Sequence, residues 1–351
     1  MKRAGWIGIA LLAAAVVLGL WLAPRVLLAA WLAAWWWCLG LVLGCFTNAW
    51  TSRLTGGLWG ESVQAAALAL GRWVPWLLLG LVPLVLGEAW LYPWADPGSG
   101  WLRDIAEPRF IRVWLSTPFF VARLALYALA WWWITRAPSL AAKSRAAASL
   151  LAHSLLTSLA AVDLLMSLVP GWPSTAFGLV ALSAQGLSGA AAAILLTRAA
   201  PGVRTQTTPD STVPVSRDLG NLLLMWVMGW AYLAFMQFLI IWSENLPHEI
   251  AWYVPRLQTG WIHVAEAVLV VQLLVPFLAL LFRRVKDDPR RLLAVAALLL
   301  AGSALDAAWM VLPSVDAHTL HGWWLLPVVF AGAALLLHAA TRRQMEVRRA
   351  Q

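Results

Sequence analysis

Ten apolar stretches, divided by clusters of charge, proline and small polar residues, make up most of the chain. They run from Trp6 to Leu22, Val26 to Phe46, Trp73 to Leu91, Ile111 to Ile134, Ala146 to Leu168, Thr175 to Thr197, Leu219 to Trp242, Trp261 to Phe282, Leu292 to Leu312 and Trp323 to Thr341. Each is long enough, or nearly so, to cross roughly 30 Å of hydrocarbon at about 1.5 Å per helical residue. Hydrocarbon offers the backbone no hydrogen-bond partner, so a spanning segment must satisfy its own N–H and C=O groups as a helix. The pattern predicts an all-α polytopic membrane protein of ten spans, with residues 1–351 forming one integral membrane domain. The longest connections, Thr47 to Arg72, Tyr92 to Phe110, Arg198 to Asp218 and Ser243 to Gly260, are too short to hold a soluble domain.

The distribution of lysine and arginine tests this count independently. Of the 25 basic residues, 19 fall in the N-terminus, the loops after spans two, four, six and eight, and the C-terminus; four fall in the other loops, and Arg112 and Arg123 lie inside span four. The bias predicts that both termini are cytoplasmic, and an odd number of spans would scramble it. Lys2 and Arg3 before the first apolar stretch imitate a signal peptide, but no small-residue cleavage site follows, so an uncleaved first span is expected.

Composition narrows the class. Sixty-two per cent of residues are hydrophobic and 12% charged, which a soluble domain of this size could not bury. The formal charge of +9 is spread in short groups beside the spans, as anchors to anionic lipid are, and argues against nucleic acid. Cys38 and Cys45 form no CxxC or CxxCH, which disfavours covalent haem, iron–sulfur and structural zinc. This chain is expected to bind no redox centre itself. The 26 tryptophans suit interfacial belts, except Trp35 to Trp37 in the middle of span two, where helix packing is expected. Asp218 is placed to cap span seven. The loop from Ala199 to Ser216 reads as flexible and cytoplasmic.

Six ionisable side chains inside the spans are candidates for buried charge: Glu88, Arg123, His153, Asp163, Glu266 and Asp306. A charge in hydrocarbon costs at least about 2.5 kcal/mol on insertion scales, so each needs a partner, a neutral state or a wet cavity. Position along the helices puts the four acids roughly 6 to 9 Å to the periplasmic side of the midplane, with Arg123 near it and His153 roughly 6 Å to the cytoplasmic side. One layer of acids suggests the floor of a periplasmic cavity. Two readings of Asp163 and Asp306 follow. Either acid locks helices together through Arg123 or tryptophan N–H groups, or the acids form a proton half-channel that His153 extends inward. Glu88 and Glu266 lie close enough to predicted ends to reach interfacial water. His153 and His338 permit a bis-histidine haem b only on paper. Glu244, His248 and Glu249, in the loop Ser243 to Tyr253, are candidates for partner docking or proton exit, whereas His318 and His321 read as solvated.

Several stretches resemble, in order, the F subunit of bacterial alternative complex III, known as quinone-binding subunit 2 of quinol:cytochrome c oxidoreductase. They are LTGGLWG (Leu54 to Gly60), LYPWA (Leu91 to Ala95), AAVDLLMSLVPGWPSTAFG (Ala160 to Gly178), the segment from Asp218 to Tyr253, and LDAAWMVLP (Leu305 to Pro313). In the turn after span five, Asp163, Met166, Ser167, Leu168, Pro170, Trp172, Ser174, Thr175 and Gly178 keep the family's pattern, while Val169 and Gly171 stand where the family has an acid and a histidine. Thr51 to Arg53 replace a histidine pair. The resemblance implies an NrfD/PsrC-like fold with two four-helix bundles, in the bacterial cytoplasmic membrane. It implies a non-catalytic respiratory subunit that supplies scaffold and a proton pathway. Partner subunits would carry the chemistry: a related quinol-site subunit, an iron–sulfur subunit with its clusters, and cytochrome c subunits with their haems, ahead of a downstream oxidase. Quinone binding by this chain, and a secondary transporter, stay open as alternatives.

Overall fold

The computed structural model describes residues 3–101, 108–198, 214–316 and 322–350, and every regular element within them is helical. The helices are α1 (Arg3–Leu22), α2 (Pro24–Thr55), α3 (Trp59–Gly71), α4 (Val74–Leu79), α5 (Val82–Leu86), α6 (Glu88–Leu91), α7 (Pro108–Trp114), α8 (Thr117–Ile134), α9 (Lys143–Leu164) and α10 (Phe177–Arg198). They continue with α11 (Val215–Glu244), α12 (Pro247–Ile250), α13 (Val254–Leu257), α14 (Trp261–Val268), α15 (Val275–Leu281), α16 (Arg283–Asp287), α17 (Pro289–Val315) and α18 (Leu325–Ala350). A π-helical segment, Leu269–Leu274, joins α14 to α15. Most of the loop from Ala199 to Ser216, and both His318 and His321, lie outside the described residues.

Among the described residues eight helices are long and apolar enough to cross a membrane, or nine if the pair Trp59–Gly71 and Val74–Leu86, bent by 51°, is one span. The apolar part of α18, Leu325–Ala339, is shorter. The protein is therefore a polytopic helical membrane protein.

The second element departs from expectation. It continues nine residues past Phe46 because its polar residues satisfy themselves: the Thr47, Thr51 and Thr55 hydroxyls donate to the carbonyls of Leu43, Thr47 and Thr51 at 2.8 to 3.0 Å. Hydroxyls bonded back onto their own helix read as loop in a hydropathy pattern but leave the helix intact. Gly56 and Gly57, at φ 82° and 103°, end it, in a region a side chain would strain. Interruptions at Gly80–Leu81, just ahead of Pro83, and at Gly87 divide the third predicted span into α4, α5 and α6. The indoles of Trp31 and Trp35 on α2 donate to the carbonyls of Gly80 and Leu77 in that broken backbone, at 2.9 and 2.6 Å. Asp218 does not cap α11, which starts three residues earlier and has Pro214 in the capping position; Asp218 stays in the first turn, where the helix dipole favours an acid.

The core is built round α2, which is almost wholly buried and packs on α10, α17, α3, α18 and α9. Small residues set its closest approach. A Cβ on Gly44 would sit 1.8 Å from the Gln185 carbonyl oxygen, and one on Gly189 would sit 2.1 Å from the Gly44 carbonyl carbon, so the α2 and α10 backbones touch directly. Asn48 clamps the same junction: its Nδ2 donates to the carbonyls of Gly44 and Gly186, and its Oδ1 accepts from Trp226 on α11 at 2.8 Å. Outward faces carry large apolar side chains such as Leu126 and Trp133 on α8, Tyr232 and Phe235 on α11, and Leu278 on α15. Lipid or a partner subunit must solvate them.

Candidate functional site

The polar groups of the interior form two separate sites. The first centres on Asp163 in the last turn of α9, fully buried beside Arg123 of α8. Arg123 Nε and Nη2 donate to the two carboxylate oxygens at 2.7 and 3.0 Å, the Tyr127 hydroxyl donates at 2.6 Å, and the Trp114 indole at 2.9 Å. Arg123 Nη1 also donates to the Trp114 carbonyl, which closes the C-terminus of α7, and the guanidinium lies 4.2 Å from the Trp114 ring centroid. A bidentate pair with every strong donor engaged is strong and directional. Four donors engage the Asp163 carboxyl group, an arrangement that fixes α7, α8 and α9 together.

The second site centres on Asp306 of α17, which has no cationic partner among the described residues. The Gln272 amide and the Trp230 indole face its carboxyl. Neither completes a hydrogen bond of standard geometry, and both Gln272 amide atoms are buried without a partner. Gln272 sits on the π-helical segment, its Cβ against Gly302 of α17. Such segments arise where an extra residue is accommodated in a helix, and they often mark functional positions. On its other side Asp306 lines a cavity of about 20 Å³ with Gly40, Gln185, Ser188 and Ser303. Gln185 Nε2 is buried and unpartnered, while Gln185 Oε1 accepts from Thr157 at 3.4 Å, and Thr157 meets His153 Nδ1 at 3.2 Å. His153 is fully buried against Trp50, with its Nε2 unpartnered. Four groups thus run from α9 through α10 to α17.

The structure does not gather the four predicted acids into one cavity. Asp163 and Asp306 share no partner. Glu266 is largely exposed on the outer face of α14, bonded to His263 at 3.1 Å. Glu88 accepts from Thr117 at 2.6 Å, with its second oxygen buried and unpartnered. The reason is angular: hydropathy fixes depth along a helix, but residues at one depth on different helices can face opposite ways. Glu244 is exposed, and His248 Nε2 lies 4.0 Å from Glu249 Oε1 at the surface of the loop after α11. His338, on α18, lies on a helix that packs chiefly against α1 and α2.

That loop joins the turn after α9. Trp172 stacks on Trp252 at 4.5 Å and donates to the Glu249 carbonyl at 2.7 Å, and Ser174 donates to Gln237, whose amide donates to the Tyr253 hydroxyl. Beneath lies Arg256, a fully buried residue that the sequence reading missed. It donates to the carbonyls of Trp252, Trp309 and Met310 and to the Ser314 hydroxyl, and stacks 3.5 Å from Trp252. Pro313 lies inside α17, so the carbonyl of Trp309, four residues back, has no helical donor. Arg256 supplies one, at the negative end of the helix dipole. A proline four residues after an apolar helical position was the available signal.

Among the described residues no three His, Cys, Asp or Glu side chains are grouped as a metal would need. No protein-family model matches the chain, and no curated protein does.

Proposed function

We propose that the chain is an integral membrane subunit of a quinol:cytochrome c oxidoreductase of the alternative complex III type. In this reading it spans the bacterial cytoplasmic membrane ten times with both termini cytoplasmic, the bent pair and the apolar part of α18 being the ninth and tenth spans. It provides scaffold and a proton pathway at Asp306, while partner subunits oxidise quinol and carry the iron–sulfur clusters and haems. One observation carries the reading: the two stretches that most resemble the family, Ala160 to Gly178 and Asp218 to Tyr253, are far apart in sequence but packed as one joint through Trp172, Trp252, Ser174 and Gln237. A shared turn architecture would impose such a joint, and chance matches would not need to touch. The exposed faces of α8, α11 and α15 leave room for a partner in the bilayer.

Solubilisation in mild detergent and affinity purification of the tagged chain test this. The expected result is co-purification with multihaem and iron–sulfur proteins and a quinol-dependent reduction of cytochrome c. Isolation of the chain alone, with no haem absorbance, refutes it. A second reading, a secondary transporter, is favoured by one feature: the π-helical segment Leu269–Leu274, which places unpartnered Gln272 beside a buried acid within a span. Isolation alone, together with ion-coupled uptake in liposomes, would establish that alternative.

A further inference from the structure

At the C-terminal end of α8 the fold holds an arginine in place and gives it no acceptor. The Arg136 guanidinium lies 3.7 Å from the Trp132 ring centroid and 5.3 Å from that of Trp133, and both indoles face outward. Among the described residues no oxygen accepts from its N–H groups and no acid pairs with it. The turn that follows is pinned to α2: Trp50 Nε1 donates to the Ser139 hydroxyl at 3.0 Å, and Arg53 to the Ala141 carbonyl at 3.5 Å. A second arginine adjoins the first. A Cβ on Gly71 would sit 3.0 Å from the Thr135 carbonyl oxygen, which sets the next residue on each segment, Arg72 and Arg136, side by side. Arg72 is exposed and also has no partner among the described residues. Little negative charge offsets the pair. Neither Asp nor Glu occurs in α2, α4 or α8, the one acid of α9 is Asp163 at its far end, and Glu61 lies in the first turn of α3, at the opposite end of that helix from Arg72.

What lies beside the arginines narrows the occupant. α4 starts next to the end of α8 and packs against it, and the outward faces of both helices are apolar: Trp76 and Leu79 on α4, and Leu126, Leu129 and Trp133 on α8, are exposed. A free anion or an acidic peptide would use the arginines and leave those faces bare, whereas a phospholipid uses both. We propose that Arg72 and Arg136 bind the phosphodiester of an anionic phospholipid whose acyl chains lie along the outward faces of α4 and α8. Stacking on Trp132 fixes the plane of the Arg136 guanidinium, so its N–H edge is presented as a planar fork that matches two phosphate oxygens. Tryptophan at the end of a span marks the level of the headgroups, and basic pockets between spans take anionic headgroups. A zwitterionic lipid fits less well, because its cationic amine would meet two guanidiniums. Trp132 is a positioning residue, since it acts through Arg136. This site goes beyond the respiratory reading and does not depend on it.

The test is native mass spectrometry of the purified full chain in detergent, titrated with dioleoylphosphatidylglycerol or dioleoylphosphatidylcholine. The readout is the ratio of the two retentions, which general damage to the fold would not shift toward either lipid. Phosphatidylglycerol should be retained at concentrations where phosphatidylcholine is not, and millimolar inorganic phosphate should not displace it. Arg136→Gln and Arg72→Gln should each lower the ratio by roughly fivefold, the effect of one basic side chain beside an anionic headgroup. Trp132→Leu, which keeps the surface apolar but removes the stacked ring, should lower it by roughly two- to fivefold. Arg290→Gln, which removes an equal charge from a different loop, should change it by less than roughly twofold. Equal retention of the two lipids overturns the proposal and leaves the pair to an acidic segment of another protein. Displacement by inorganic phosphate overturns it in favour of a free anion. A loss in Arg290→Gln as large as in Arg136→Gln overturns the site in favour of diffuse attraction, and a ratio indifferent to Trp132→Leu overturns the positioning role. No cytochrome partner enters the measurement, so failure of the complex assignment and failure of this inference are separately visible.

Discussion

Replacing Asp163 by Asn leaves Arg123 buried without its counter-charge, and the geometry fixes how large that loss should be. The side chains of Arg123 and Asp163 are only 8% and 0% exposed, so solvent cannot compensate. Removing one partner of a buried pair costs about 3 to 5 kcal/mol, mostly because the survivor is left charged and dry. Asn still accepts from Tyr127, but its NH2 group faces the guanidinium that donated to Oδ1 or Oδ2. Arg123→Leu alone should cost less than Asp163→Asn, because Tyr127 and Trp114 still donate to the carboxylate, and the double variant with Asp163→Leu should recover part of the loss. At the unfolding entropy typical of soluble proteins, 3 to 5 kcal/mol over a chain of this length corresponds to roughly 5 °C in Tm. Cys38 and Cys45 are both free and buried, so a thiol-reactive fluorophore reports unfolding directly in detergent without an added label. A melting temperature unchanged by Asp163→Asn, or a double variant less stable than both singles, would refute the claim that this pair is a structural lock.

Gly44→Ala places a methyl group against backbone rather than a movable side chain, so it should cost about 3 kcal/mol or more through overpacking, read by the same thiol assay. Arg256→Leu should destabilise by about 2 to 4 kcal/mol, since three carbonyls and a hydroxyl lose charged donors; Arg256→Lys should recover only part, because an ammonium cannot reproduce the planar fork. The Arg217 guanidinium, bonded to Asp287 at 2.7 Å, holds the Asp287 carboxyl below the usual carboxylate range. Its contribution is therefore full above the ordinary carboxylate value and lost as pH falls through the lower folded value. Arg217→Gln should lower stability at pH 7 slightly, more at low salt than at high, with no difference from wild type once Asp287 is protonated, which a pH series of melting curves checks.

Depth was legible in the sequence and direction was not. Charge spacing and hydropathy locate nearly every long helix, because the cost of a polar residue in hydrocarbon depends on where it lies along the membrane normal. The second helix was read short because a run of Thr, Asn and Ser looks like a loop until each hydroxyl is seen to bond its own helix. Asp163 and Asp306 were both legible as buried acids, but only the fold reveals that one has a full set of donors and the other faces a void. Gln185, Thr157 and Gln272 left no trace, since an amide or hydroxyl in an apolar helix is cheap enough to pass unnoticed. Arg256 was misplaced as a loop residue because its helix is four residues long, and no period can be read from four.

The contrast between the two acids argues for a division of labour within one interior. The Asp163 carboxyl group, engaged by a guanidinium, a phenol and an indole, has a fixed position, since turning it would break the ion pair. A carboxyl without a cation, set between unpartnered amides and a cavity of one water's size, has no such constraint. Buried polar groups left unsatisfied are costly at about 1 to 3 kcal/mol each, and the unpartnered amide nitrogens of Gln185 and Gln272 belong to residues on either side of this one acid. Stability explains the Asp163 site completely. It does not explain the Asp306 site, where the fold keeps several costs that an apolar substitution would remove, and a group that must change protonation state is the simplest physical reason to keep them.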